Sequence, residues 1–187
     1  TEGGGDSAEV ALELMPGNKI RKYDTWHAMG QGATTGSLVV TLEALKEMHL
    51  TPEDIQLIQN DTKTCPDTGM AGASRSLYMD GNATIIAANK LLAAMRKEDG
   101  TLRTYDEMKA EGIETKYLGR YETNTTPGLC RLDPNTGIGD PTPAFTYCLN
   151  LAEVEVDTKT GKTTVLKFTC VDFVGRIGNI DAVNGQA

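Results

Sequence analysis

Two glycine-rich turns constrain this chain more than any other feature. Each stands immediately before a run with helical spacing. The first is Gly30-Gln31-Gly32-Ala33-Thr34-Thr35, and the second runs from Gly69 to Ser76. A helix start leaves backbone N–H groups without partners and carries a partial positive charge. Small residues let an oxyanion come close to that backbone. The ordinary reading of such a turn is only an N-cap. The alternative is an anion grip, with Thr34, Thr35, Ser74 and Ser76 as hydroxyl donors and Arg75 as the local cation. Glycine makes up 20 of the 187 residues, an enrichment that calls for tight turns or close backbone approach.

The rest of the pattern places these turns. Ala8 to Leu14 and Lys19 to Trp26 read as strands of a hairpin about Pro16-Gly17-Asn18. Beyond the first glycine turn, Leu38, Leu42, Leu45 and Met48 recur at helical spacing. Thr51 to Asp54 reads as a turn or a one-turn helix and Ile55 to Gln59 as a short strand. After the second glycine turn, Leu77, Ile85, Ala88, Leu92 and Met95 mark a long helix ending near Lys97. Tyr105 to Glu111 is a short helix with Thr104 as N-cap, Glu107 closing a capping box, and Gly112 as the stop. Residues 123–143 read as a long loop. Phe145 to Val156 and Thr163 to Val174 are strands joined by a turn at Asp157 to Lys162. The expected fold class is α+β: two long amphipathic helices and a short one packed on a largely antiparallel sheet. Possible sub-regions are 1–112 and 113–187. Trp26, the single tryptophan, is expected in the core.

Several functions are disfavoured. The net charge of −8 and pI near 4.8 argue against nucleic acid and against an anionic membrane surface. No apolar run is long enough to span a membrane, and no signal-peptide pattern opens the chain, so a cytoplasmic protein is expected. Cys65, Cys130, Cys148 and Cys170 form no Cys-x-x-Cys pair, and with two histidines, His27 and His49, no metal motif is legible. The four thiols are expected to be reduced and mostly buried. Asp61, Asp67, Asp172 and Asp181 are expected to be solvated or turn-forming. The turns match neither the Walker A loop nor the dinucleotide fingerprint, and no parallel βαβ context is read around them. The start without Met and the abrupt end are expected of a piece of a longer polypeptide.

The joint pattern resembles one family. Its marks are Met29-Gly30-Gln31-Gly32, Asn60-Asp61-Thr62, Cys65-Pro66-Asp67-Thr68-Gly69, Ala71-Gly72-Ala73-Ser74-Arg75-Ser76 and Gly81-Asn82-Ala83. Ala152 to Asp157, Gly175, Asn179 and Asn184-Gly185-Gln186 follow in order. The chain resembles the molybdopterin-binding region of the molybdenum hydroxylases, the xanthine dehydrogenase and aldehyde oxidoreductase family. It looks most similar to the bacterial aldehyde oxidoreductases of anaerobes. The resemblance implies that Gln31, between Gly30 and Gly32, hydrogen-bonds near the molybdenum oxo group or the pterin. Ala73 would pack near the metal. Ser74, Arg75 and Ser76 would hold the pterin and its phosphate end, and Gln186 would reach the pterin from a third segment. The implied cofactor is molybdopterin with molybdenum, as the cytosine dinucleotide in bacterial relatives. Iron–sulfur clusters would sit elsewhere in the parent, and no side chain ligates the metal. The implied reaction is hydroxylation of an aldehyde or a purine-type heterocycle. The family's catalytic Glu would lie beyond this chain, so the chain alone is expected to be inactive and to work with the remaining domains or subunits of its parent. Met29 stands where some aldehyde-oxidising relatives have His. Two other readings stand beside this one: a stand-alone anion- or nucleotide-binding module, and a docking domain whose glycine turns only cap helices.

Overall fold

The computed structural model describes residues 6–72, 74–123, 132–139 and 145–185. β1 (Ser7–Met15) and β2 (Lys19–Asp24) form the expected antiparallel hairpin. The glycine-rich segment leads into α1 (Ala33–Ala44), and β3 (Ile55–Gln59) follows. Next come α2 (Arg75–Met95), α3 (Tyr105–Ala110) and β4 (Lys116–Glu122). β5 (Tyr147–Val156), β6 (Thr163–Phe173) and a short α4 (Ile180–Asn184) complete the chain. The fold is α+β, as expected.

One four-stranded sheet runs in the order β3-β2-β1-β4, and β5 with β6 forms a separate two-stranded ribbon. Alternation along β1 sends Ala8, Val10, Leu12 and Leu14 to one face, where they are fully buried. Ile20 on β2 lies opposite both Leu14 and Ile55 and extends that row. α2 covers β1 and β4, and α1 lies beside α2. The opposite face carries Glu9, Glu13, Arg21, Lys116 and Arg120, with Arg120 paired to Glu9 at 2.7 Å.

The sheet differs from expectation at one joint. β2 and β3 are parallel, with Asp24 opposite Gln59. The segment β2-α1-β3 is therefore a βαβ unit, a context the sequence reading did not find. The reason is geometric: a chain that leaves the end of β2 and returns through a helix to pair with it must run the same way.

The helix faces also differ from the apolar spacing. α1 buries Ala33, Ser37 and Thr41, while Leu38 and Leu42 are only partly covered, so no clean amphipathic division exists. On α2, Leu77 is 60% and Ile85 46% exposed, although both were expected inside. Its buried side is Met79, Asp80, Gly81, Ala83, Thr84, Ala87, Ala88, Leu91, Leu92 and Met95. Small residues let α2 approach the sheet closely, and closeness outweighs the size of the apolar side chains.

The capping box on α3 forms as expected. Glu107 N–H donates to Thr104 Oγ1 at 3.3 Å, and Thr104 N–H to Glu107 Oε2 at 2.7 Å. Trp26 is buried as expected. α4 was not foreseen; Asn179 caps it by accepting from Ala182 N–H at 3.1 Å. The thiol expectation fails in part. Cys148 and Cys170 are exposed on the ribbon, Cys65 is half-buried, and Cys130 lies outside the described residues. Cys170 donates to Asp172 Oδ2 at 3.2 Å, and that carboxylate holds the thiol pKa up. Much of the 123–143 loop also lies outside the described residues. No described helix is long and apolar enough to cross a membrane.

Candidate functional site

Both glycine-rich turns leave the same end of the four-stranded sheet. β2 ends at Asp24 and β3 at Gln59, side by side, and each leads through a glycine turn into a helix. In α/β units ligands gather outside the carboxyl ends of parallel strands. Gly30 and Gly32 have φ of 98° and 84°, values that side-chain-bearing residues rarely adopt. Among the described residues, α1 starts after Gly32 and α2 after Ser74, and neither N-cap residue makes a side-chain cap bond. At α2 the Arg75 N–H instead donates to Gly72 O at 3.0 Å. Ser74 itself has φ of 56°, uncommon for a residue with a side chain and a recurrent mark of functional turns.

The individual residues have definite surroundings. Gln31 is exposed and folds back on its own turn. Its Nε2 donates to His27 O at 2.9 Å, and its Oε1 accepts from Met29 N–H at 2.6 Å. Arg75 is 11% exposed. Nε and Nη2 donate to the Asp6 carboxylate at 2.5 and 2.8 Å. Nη2 also donates to Ser7 O at 3.0 Å, and Nη1 to Thr68 O at 3.1 Å and Met70 O at 2.6 Å. A guanidinium has five N–H donors, and all five are committed here. Arg75 therefore shapes the second turn and ties it to the start of β1, leaving no donor for a phosphate. A Cβ on Gly69 would lie 2.9 Å from both Nη atoms, so this glycine makes room for that guanidinium. Ser74 is exposed and Ser76 half-buried. Ala73 and Gln186 lie outside the described residues.

The second turn is fastened to β2 as well. Thr25 and Thr68 exchange hydrogen bonds, each N–H donating to the other's Oγ1 at 2.9 Å, and Thr68 Oγ1 donates to Glu9 O at 2.9 Å. Asp61 and Asp67 form local turns, as expected, accepting from Lys63 N–H at 2.9 Å and Gly69 N–H at 2.8 Å.

Beneath both turns lies a group the sequence reading passed over. Lys22, Asp24 and Asp80 are fully buried. Lys22 Nζ lies 2.6 Å from Asp80 Oδ1 and 3.3 Å from Asp24 Oδ2. Asp24 accepts from Ser37 Oγ at 2.6 Å and Gln59 Nε2 at 2.8 Å. Burial pushes the Asp80 carboxyl pKa up, and the nearby Lys22 opposes this. The signal was available: strand alternation through Ile20, Lys22 and Asp24 sends all three inward.

A family model described as the molybdopterin cofactor-binding domain matches residues 1–187. The chain belongs to this family. Among curated relatives, it is 38% identical over 183 residues to the aldehyde oxidoreductase of Megalodesulfovibrio gigas, covering 98% of this chain and 20% of that protein. It is 26% identical over 152 residues to the xanthine dehydrogenase of Dictyostelium discoideum, covering 79% of this chain and 11% of that one. The crystal structure of the aldehyde oxidoreductase from Desulfovibrio desulfuricans matches with a TM-score of 0.84 at 40% identity, covering 98% of this chain and 20% of that one. The chain thus spans a fifth or less of the length of these relatives. Its glycine turns fit an anionic, pterin-type cofactor: two helix starts whose N-cap residues make no side-chain cap bond, backbone made open by Gly30 and Gly32, and hydroxyls at Ser74 and Ser76. None of these groups is a metal-ligating side chain, which suits a cofactor that brings its own ligands to the metal.

Proposed function

We propose that this chain forms part of the molybdopterin-binding region of a molybdenum hydroxylase that oxidises aldehydes, with purine-type heterocycles as the second substrate class. The observation that carries the reading is the convergence at one sheet end of two glycine turns whose N-cap residues make no side-chain cap bond, in a chain 38% identical to an aldehyde oxidoreductase. When bound, the cofactor supplies the two-electron chemistry of hydroxylation. The residues of this chain bind and orient it. The first-turn N–H groups of α1 and α2 left without a backbone partner would favour its anionic groups, with the helix dipoles adding to this. Ser74 and Ser76 donate hydroxyl hydrogen bonds. Gln31 fixes the backbone of the first turn and offers its amide to the pterin once its bond to His27 opens. Arg75 acts by shaping the second turn rather than by touching phosphate. The reading also assigns Ala73 and Gln186, which lie outside the described residues, to the pterin's surroundings. The reading includes the cytosine dinucleotide form of the cofactor, iron–sulfur centres in other parts of the parent, contact with the parent's other domains or subunits, and a cytoplasmic location. The general base is assigned to a Glu outside this chain, and the chain alone is expected to be inactive.

The test is metal and pterin analysis of the full-length parent, purified from a molybdenum-replete host that makes the cofactor. Near-stoichiometric molybdenum is expected in the wild type. Ser74→Ala with Ser76→Ala, or Gln31→Ala, should lower occupancy without lowering the melting temperature of the cofactor-free protein. A wild-type parent without molybdenum overturns the reading, and full occupancy with unchanged activity in the variants overturns the site.

A further inference from the structure

The buried ionic cluster is poorly explained as a source of stability. Lys22 occupies an inward position on β2 opposite Leu12 and Leu57, where an apolar residue would extend the core. Removing charges from water costs much of what their attraction returns, so well-packed apolar replacements are often as stable. Among the described residues, Asp80 Oδ2 is moreover buried without a hydrogen-bond partner. The helix above the cluster is equally unusual, since α1 presents Ser37 and Thr41 inward.

What the cluster does have is reach. Asp80 lies on α2, near its start. From it the contacts run to Lys22, then to Asp24 at the end of β2. Asp24 divides the path into two arms. One goes to Ser37 in α1, and the other to Gln59 at the end of β3. Gln59 Oε1 then accepts from Thr34 Oγ1 at 3.1 Å, in the first turn of α1. The network therefore joins the N-terminal part of α2 to that of α1 through the sheet end beneath both glycine turns. Hydrogen bonds and close ion pairs are directional, and they fix distance and angle where apolar packing tolerates sliding.

We propose that the Lys22–Asp24–Asp80 cluster, with its arms through Ser37 and Gln59, is a positioning device that sets the two glycine-rich turns at one fixed separation, so that both grip the same phosphate-bearing cofactor. The proposal rests on the cofactor reading given above. Ser37 and Gln59 act through the turns and do not touch the ligand.

The test uses the full-length parent in a cofactor-competent host. Gln59→Met cuts one arm and Ser37→Ala the other, each without exposing a new buried charge. Met108→Ala is the control. Met108 is fully buried on α3, which packs by the β1–β2 turn at the far end of the sheet. Molybdenum and pterin per chain, the rate of cofactor release and the melting temperature of the cofactor-free protein are measured for each. Hydrogen bonds that orient the groups holding a bound metal typically matter by about tenfold or more, and an arm that orients a cofactor-holding turn is expected to act on the same scale. Either arm variant should therefore release cofactor about tenfold faster, while Met108→Ala lowers the melting temperature and leaves release unchanged. If one arm variant does not fold, the other decides. Release unchanged in the arm variants, or accelerated equally by Met108→Ala, overturns the proposal while a loaded wild type leaves the cofactor reading standing. A wild type that carries no cofactor overturns the cofactor reading and this proposal with it.

Discussion

Gly119 on β4 is where a single atom would meet most resistance. A Cβ there would lie 2.0 Å from Ala83 O and 2.5 Å from Ala87 N, both on the backbone of α2. No rotamer change can relieve a clash with helix backbone, so the helix would have to lift off the strand. Overpacking a core ordinarily costs about 1–3 kcal/mol, and contact with backbone belongs at or above the upper end. Gly119→Ala is expected to destabilise by about 3 kcal/mol or more, lowering the melting temperature measured by circular dichroism; a melting curve like the wild type's would show that α2 does not sit where described. The same crowding explains what the sequence hid at this scale. Glycine turns before helices were legible because φ above zero needs glycine at Gly30, Gly32 and Gly69. The need for Gly119, and the use of Lys22 and Asp80 inside, depend on which helix lands on which strand, and no local pattern states that.

At the scale of elements, the capping box on α3 was legible because its parts lie three residues apart. It carries a pH prediction. Glu107 is held down from its ordinary 4.5 to about 2, first by its hydrogen bond with Lys97 and then by the Thr104 N–H. The folded value lies below the unfolded one, so this contribution is complete above the ordinary value and is lost as pH falls toward about 2. Urea unfolding of the wild type should therefore weaken more steeply than that of Glu107→Gln as pH drops from about 5 to 2. Equal slopes would remove the assignment. Asp54, Asp61, Asp99 and Asp157 also sit below their ordinary range, each held by local N–H or hydroxyl groups, so only the difference between the two proteins isolates Glu107. Helix faces were harder to read than caps. Both long helices were found, and Leu45, Ala88, Leu92 and Met95 are buried, but Leu77 and Ile85 are exposed and Leu38 and Leu42 only partly covered, because α1 meets a polar cluster and the start of α2 meets a strand across alanines and glycine.

The whole molecule divides into a part with a core and a part without one. The four-stranded sheet and its helices enclose Leu12, Leu14, Ile20, Leu45, Leu91 and Met108. β5 and β6 enclose nothing, and every residue of both strands is exposed. Their limits were legible to within two residues, because alternation and the Asp157–Gly161 turn are local. What covers them was not, because that is a matter of distant chain. Along one face stand Tyr147, Leu149 and Leu151, opposite Phe173 and Val171. An isolated two-stranded hairpin is marginal in water, whatever its length. In the chain alone, ribbon amides should exchange hydrogen close to unprotected rates, while those of β1, β2 and β4 exchange only on global opening. The chain covers 20% of the length of its aldehyde oxidoreductase relative, which leaves room in such a parent for elements that bury this face. Hydrogen exchange on the full-length parent should then slow the ribbon to the rate of the central sheet. A ribbon that exchanges equally fast in chain and parent would mean that its apolar face stays open, and that Leu149, Leu151 and Phe173 serve something other than internal packing.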